Sequence, residues 1–134
     1  MNNEREKVRM KKFEFENKRT NPDLELEIGG TVFRFNPLSA KVMKACEKFA
    51  VTNEVLQNNL KSIKSGDDEL YKKLNLDTCK ICAEFIESTL GGNAYDQIFE
   101  NRTLDFEEHM NVTAFILEAI SEYSIKIVNE HTAN

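Results

Sequence analysis

Residues 24–35 read LELEIGGTVFRF. On both sides of the Gly29-Gly30 pair, apolar side chains alternate with other residues, which is the pattern of two half-buried strands. A glycine pair accepts the positive φ angles of a two-residue type I′ or II′ turn. The stretch therefore predicts an antiparallel β-hairpin with one apolar face. Because an isolated hairpin is only marginally stable in water, we expect that face to pack against helices or another chain.

The chain ahead of the hairpin is basic. Seven of the 18 Lys and Arg residues and four of the 23 Asp and Glu residues lie in residues 1–20, a net charge of +3. We expect a flexible, solvated arm there. Phe13 and Phe15 alternate with charged residues, which leaves open a short strand over residues 11–17 and a three-stranded sheet. Asn21-Pro22-Asp23 is a turn-forming sequence and marks the predicted start of the folded domain.

After the hairpin the apolar period changes from two to about 3.6 at Leu38, which predicts helices. The first helical region ends near Ser65-Gly66, either as one long helix or as two helices that break near residue 52. A second apolar stripe ends at Leu90-Gly91, where a glycine supplies the left-handed backbone that closes a helix. Asn93 is predicted to cap the short amphipathic turn that follows.

The last helix is predicted from about Phe106 to Asn129. Asp105 is its expected N-cap, and Glu108, three residues on, completes a capping-box pattern. Strands followed by helices indicate an α+β fold, here an antiparallel hairpin followed by a bundle of three to four helices. We expect a single α+β domain over residues 21–130 and a disordered tail over residues 131–134.

The totals exclude several classes of protein. The 134 residues are 40% hydrophobic and 31% charged, enough for one domain with a core. No apolar run approaches the roughly 20 residues that span a bilayer, and Met1 to Lys12 is too polar for a secretory signal, so we expect no membrane association. Three cysteines, an odd count, fit a reducing cytoplasm. Beyond residue 20 the net charge is −8, which is unsuited to binding nucleic acid.

Few residues are candidates for catalysis or metal binding. Cys79 and Cys82 form a lone CxxC pair, which is half of a zinc site or a redox pair in other contexts. Here it falls inside a helical pattern, so we expect structural, reduced cysteines and keep a thiol or zinc protein as an alternative. His109 follows Glu107 and Glu108, and we expect these to form a solvated helix face. No catalytic, cofactor-binding or metal-binding residue is predicted.

Apolar residues remain beyond what one core face accommodates. Val51 and Val55 belong to this surplus, and so does Val32 on the hairpin. The last helix presents two apolar faces, Val112 with Ile116 and Ile125 with Val128, which indicates a surface for a partner or for self-association.

Two motifs together resemble a known family. The hairpin over residues 24–35 and the segment LGGNAYDQIF over residues 90–99 are similar to the tail assembly chaperones of long-tailed bacteriophages and related prophage-like elements. In that family the second segment is Leu-Gly, a small residue, an acidic residue and Ile-Phe. A final helix like residues 105–129 closes the domain, so the resemblance covers roughly residues 24–129. The basic arm and the strand-like stretch over residues 11–17 are less typical.

The resemblance implies a non-enzymatic function in the bacterial host cytoplasm. The family binds the long, coiled-coil-rich tape measure protein, keeps it soluble and helps to recruit tail tube subunits. The expected contact residues lie on the hairpin and the last helix: Val32, Phe33, Phe35, Val112, Ile116, Ile125 and Val128. The alternative is a small phage or prophage regulatory protein that binds a compact host or phage factor.

Overall fold

A computed structural model describes residues 10–14, 22–102 and 105–132, without the side chain of His131. Its elements are β1 (Leu24–Ile28), β2 (Thr31–Phe35), α1 (Ala40–Lys61), α2 (Asp68–Leu90), α3 (Ala94–Phe99) and α4 (Phe106–Thr132). A hairpin followed by four helices confirms the predicted α+β class. Among these residues, no helix has both the length and the apolar character needed to cross a membrane.

The hairpin forms at the predicted residues. β1 and β2 pair antiparallel with Leu26 opposite Phe33. Gly29 and Gly30 have φ angles of 59° and 84°, as a type I′ turn requires. The sheet has two strands within the described part of the chain. Residues 10–14 have no regular secondary structure, and the rest of the conjectured third strand lies outside the described residues.

The two faces of the hairpin differ as the alternation predicts. Leu26, Phe33 and Phe35 are buried on the inner face. On the outer face Arg34 pairs with Glu25, and Val32 is exposed. The inner face packs on α2, α3 and α4, so the apolar side of the hairpin is buried against helices of its own chain.

α1 is one continuous helix, so the two-helix alternative with a break near residue 52 is wrong. Ser39 caps its start, since its Oγ accepts from the Val42 N–H at 3.2 Å. The polar residues at the expected break continue the helix, and Asn53 Oδ1 accepts from Gln57 Nε2 at 3.2 Å, one turn further on.

α2 is the central helix, with α1 packed along one side and α4 along another. Cys82 contacts Met110 (Sγ to Sδ 3.7 Å), and Asp105 lies near enough to Cys79 to act on its thiol. α2 and α4 therefore run parallel to each other from the level of Cys79 onward. α3 lies between them in the sequence, in the segment that returns the chain from the end of α2 to the start of α4. The core lies between α2, α4, the start of α1 and the inner face of the hairpin and is formed by Leu26, Phe33, Phe35, Val42, Phe49, Cys82, Phe85, Ile86, Ala94, Ile98, Ile116 and Ile120.

Asn93 is the N-cap of α3 as predicted, but a different side chain supplies the capping hydrogen bond. Gly91 ends α2 with a φ of 109°, as expected of a glycine there. Asn93, however, adopts a left-handed conformation with a φ of 70°, and its side chain makes no capping hydrogen bond. Glu87 caps instead, because its Oε1 accepts from the Tyr95 N–H at 3.0 Å.

α4 begins at its predicted cap. Asp105 Oδ1 accepts from the Glu107 N–H at 2.8 Å and from the Glu108 N–H at 3.3 Å, while the Glu108 carboxylate pairs with Arg102. The helix continues to Thr132 rather than ending near Asn129, and the Thr132 hydroxyl donates to the Val128 carbonyl at 2.9 Å. The predicted tail is therefore helical at its first two residues, and residues 133–134 lie outside the described chain.

Candidate partner-binding surface

One side of the α1–α2 pair carries two adjoining grooves that no described element fills. The first groove lies between the two helices, and the second runs along the outer side of α2. Both grooves are lined by Ala83 and Tyr95, so they form one surface. We call this surface the open face. Its less polar lining comprises Ala45, Phe49, Leu76, Ile81, Ala83 and Tyr95.

Small side chains make the open face accessible. Ala45 of α1 and Ala83 of α2 are only half-buried and project little from their helices. Phe49 and Phe85 lie between the helices, with ring centroids 5.4 Å apart in a tilted arrangement, and both are buried. The floor of the groove is thus apolar, which suits the apolar side of another helix.

Charged residues of both signs form the rim of the open face. Lys48 Nζ lies 3.5 Å from Glu84 Oε2, and Lys73 Nζ lies 3.6 Å from Asp77 Oδ2. Exposed pairs of this kind contribute little to stability, because solvent screens them and long side chains lose entropy when held. They can therefore exchange partners with an incoming helix at small cost.

Apolar exposure increases toward the far end of the α1–α2 pair. α4 begins beside Cys79, so no third helix of the described chain lies against the first turns of α2. Leu70, Tyr71 and Leu76 of α2 are 40%, 53% and 49% exposed, and Val51 and Val55 of α1 are exposed as well. A helix pair without a covering layer on this side is short of one packing element.

His109 corrects a sequence-based expectation. It was predicted on a solvated face, but its side chain is fully buried. Its Nδ1 lies 2.6 Å from the Asp105 carbonyl oxygen and its Nε2 lies 2.6 Å from Tyr95 Oη. A carbonyl only accepts, so Nδ1 carries the proton and Nε2 of the neutral ring accepts from the Tyr95 hydroxyl. Phe99 stacks on the imidazole with centroids 4.1 Å apart, at 14° between the ring planes.

This arrangement positions Tyr95 at the junction of the two grooves. Its backbone N–H is held by Glu87 and its hydroxyl by His109. Burial raises the pKa of Tyr95, so the phenol stays protonated and remains a donor at neutral pH. Both ring nitrogens of His109 are hydrogen-bonded inside the protein.

The cysteines are free thiols. Burial raises the pKa of Cys46, Cys79 and Cys82, which is the opposite of what a nucleophilic or metal-binding thiol requires. Within the described ranges, no three His, Cys, Asp or Glu side chains form a group that could hold a metal ion.

The seven predicted contact residues divide between surface and core. Val32, Ile125 and Val128 are exposed, and Val112 is half-buried. Phe33, Phe35 and Ile116 are buried in the core, so they are not available to a partner in this conformation. Ile125 and Val128 lie together on α4, whereas Val32 is on the outer face of the hairpin.

Sequence reasoning did not identify the open face as a site. The surplus residues Val51 and Val55 indicated unpartnered apolar surface on α1. The grooves themselves depend on where α4 begins beside α2, which is a tertiary feature with no local signal.

Comparison with known proteins places the chain in a family. No curated protein and no solved structure matches the chain significantly. The model of DUF6673, described as a family of unknown function, matches residues 29–134, from the hairpin turn through all four helices. The matched region covers most of the chain, and the protein therefore belongs to the DUF6673 family.

Proposed function

We propose that this protein is a non-enzymatic tail assembly chaperone. In this proposal it binds the tape measure protein of a long-tailed phage or prophage-like element in the bacterial host cytoplasm, and it aids assembly of the tail tube. The observation that carries the proposal is the open face, an apolar surface on α1 and α2 that no other described element covers. The resemblance of the hairpin and of residues 90–99 to that family supports the same function.

The shape of the open face favours a helical client. An amphipathic helix places apolar side chains at positions i, i+3, i+4 and i+7 into a groove of this kind. From Glu69 to Ser88 the grooves follow α2 for about 29 Å, which matches a client helix of about 19 residues at 1.5 Å per residue. A coiled-coil-rich tape measure protein contains many such helices and exposes their apolar stripes until it assembles.

The buried polar groups also favour binding over catalysis. The thiol pKa values are raised, and the imidazole of His109 is committed to Asp105 and Tyr95. These groups stabilise the helix arrangement that shapes the open face. Under the proposal they are structural supports of a binding surface.

Co-expression with a coiled-coil-rich phage tape measure protein tests the proposal. We expect a client that precipitates alone to become soluble as a complex, with a stoichiometry that light scattering measures. A client that is soluble alone and does not interact would contradict the proposal. Tight capture of a compact phage or host protein instead would support the regulatory alternative.

A matched pair of variants locates the binding site. Ala83→Glu places a carboxylate in the floor shared by both grooves, whereas Ala50→Glu adds the same charge to an exposed position of α1 outside them. We expect Ala83→Glu to weaken client binding at least tenfold, about 1.4 kcal/mol, because the charge would be desolvated in the complex. Ala50→Glu is expected to bind like the wild type. Equal binding by all three proteins would exclude the open face as the client site.

A further inference from the structure

Tyr95 and Ala83 meet at the junction of the two grooves of the open face. They are the two described residues that line both grooves. Ala83 contributes only a methyl group, so Tyr95 is the large side chain at the junction. Both residues are half-buried, which leaves part of each accessible from the grooves. The shape of the open face at this point therefore depends on one aromatic ring beside one small residue.

The neighbours of Ala83 on α2 leave a shallow depression above its methyl group. Side chains four positions away lie on the same side of a helix. Cys79, one turn before Ala83, is buried. Glu87, one turn after it, is turned toward α3, where its carboxylate accepts from the Tyr95 N–H at 3.0 Å. We call this depression the Ala83 seat; its wall is the ring of Tyr95.

Hydrogen bonds at both ends of Tyr95 hold this wall in place. Its N–H is bonded to Glu87 of α2, and its hydroxyl donates to Nε2 of the fully buried His109 on α4 at 2.6 Å. Phe99 packs against the ring with centroids 5.0 Å apart. Turning the ring aside would leave a buried imidazole nitrogen without its donor, which is unfavourable. The wall is therefore preorganised, and it selects a side chain that fits rather than adapting to any side chain.

The Ala83 seat offers apolar contact. Because the Tyr95 hydroxyl points inward to His109, ring carbons are what Tyr95 presents to the grooves. A polar side chain placed in the seat would lose its water without gaining a hydrogen bond from the ring. A small side chain would leave the ring and the Ala83 methyl group without contacting atoms. A large apolar side chain avoids both losses.

We propose that the Ala83 seat is the specificity-determining point of the open face and takes one large apolar side chain of the client helix, a leucine or a residue of similar size. This inference rests on the proposed function, since it names the kind of client residue that the open face recognises. His109 is a positioning residue here, because it acts on the client through Tyr95.

A set of synthetic peptides tests the inference without the natural client. The parent probe is an amphipathic helix of about 19 residues with a stripe of leucines, which matches the length of the grooves. Each variant probe replaces one leucine of the stripe by alanine. We expect one variant to bind the wild-type protein about tenfold more weakly than the parent, and more weakly than every other variant, by fluorescence anisotropy. Its alanine marks the position that occupies the seat.

Substitutions of Ala83 and Tyr95 assign that position to the seat. Ala83→Leu fills the seat, so the parent probe should lose about tenfold in affinity while the sensitive variant probe binds as well as before. Tyr95→Ala removes the wall and should abolish the difference between these two probes, whereas Tyr95→Phe keeps the ring and should retain most of it. A purely structural role of Tyr95 would weaken both probes by the same factor. Ala83→Leu lies on an accessible surface and provides the test if Tyr95→Ala does not fold.

The outcomes separate this inference from the proposed function. Equal losses for all variant probes, or a difference between the two probes that persists in Ala83→Leu, would overturn the seat. The open face would still stand if Ala83→Glu prevents binding of the parent probe. A wild type that binds no probe up to about 1 mM would overturn both the seat and the open face as a helix-binding site.

Discussion

The buried imidazole of His109 joins α3 to α4 through two hydrogen bonds and a ring stack. We predict that His109→Phe lowers the free energy of unfolding by about 1–3 kcal/mol, because it leaves the Asp105 carbonyl and the Tyr95 hydroxyl without their partner. Urea unfolding of both proteins measures the difference. Tyr95→Phe, which removes one hydrogen bond and keeps the ring, is the milder comparison. A His109→Phe variant as stable as the wild type would show that the network contributes nothing.

Thr113, unlike His109, is a buried polar residue whose replacement should increase stability. Its hydroxyl is buried and has no hydrogen-bond partner among the described residues, although it opposes part of the rise in the pKa of the Cys82 thiol. Thr113→Val keeps the shape and removes the unpaired oxygen, so we predict a gain of about 1 kcal/mol in the free energy of unfolding. Urea unfolding tests the sign. A loss of stability would mean that the weak interaction with Cys82 stabilises the core.

The thiols give a prediction for pH. Burial raises their pKa values in the folded protein above those of the unfolded chain. The contribution of the neutral thiols to folding stability is therefore complete below the thiol pKa of the unfolded chain, about 8.5. It is lost as the pH rises through the thiol pKa values of the folded protein. The free energy of unfolding should therefore be lower at pH 10 than at pH 7. This decrease should be smaller in a variant without the three cysteines. An increase toward pH 10 would contradict the assigned direction.

At the scale of elements, the conformation of the hairpin turn depends on its two glycines. Gly29 and Gly30 both have positive φ angles, and a Cβ at either position would meet open space, so backbone strain alone sets the cost of substitution. We predict that Gly30→Ala costs about 1–2 kcal/mol. Gly29→Asn should cost much less, since Asn tolerates the left-handed region. Thermal unfolding of the two variants measures both effects, and equal losses would contradict the type I′ turn.

Local signals were sufficient for most of the fold. The glycine pair with its alternating flanks predicted the hairpin, Gly91 predicted the end of α2, and Asp105 predicted the start of α4. Each of these features depends on residues within a few positions of one another. Asn93 stands at the predicted N-cap position of α3, but the side-chain hydrogen bond there comes from Glu87 of the preceding helix, which no local signal predicts.

The site was less predictable because it depends on contacts between distant residues. His109 sits beside acidic residues in the sequence, and only the return of the chain through α3 brings Tyr95 and Phe99 to its ring. Phe33 and Phe35 are apolar whether they face a partner or the core, and the pattern alone does not distinguish the two. The open face exists because α4 covers only the second half of α2.

At the scale of the whole molecule, α2 is the helix on which the other elements pack. α1 lies along one side of it, and α4 and the inner face of the hairpin contact other sides. The open face is the part of the α1–α2 pair that these described elements leave uncovered.

Hydrogen exchange of the protein with and without its co-expressed helical client tests the central claim most directly. Protein–client contact slows the exchange of amides in helices that the client covers, on a scale set by local opening. The account predicts added protection in α1 around residues 45–52 and in α2 around residues 76–88, with little change along the exposed side of α4. Protection confined to α4 or to the hairpin, with α1 and α2 unchanged, would contradict a client site on the open face.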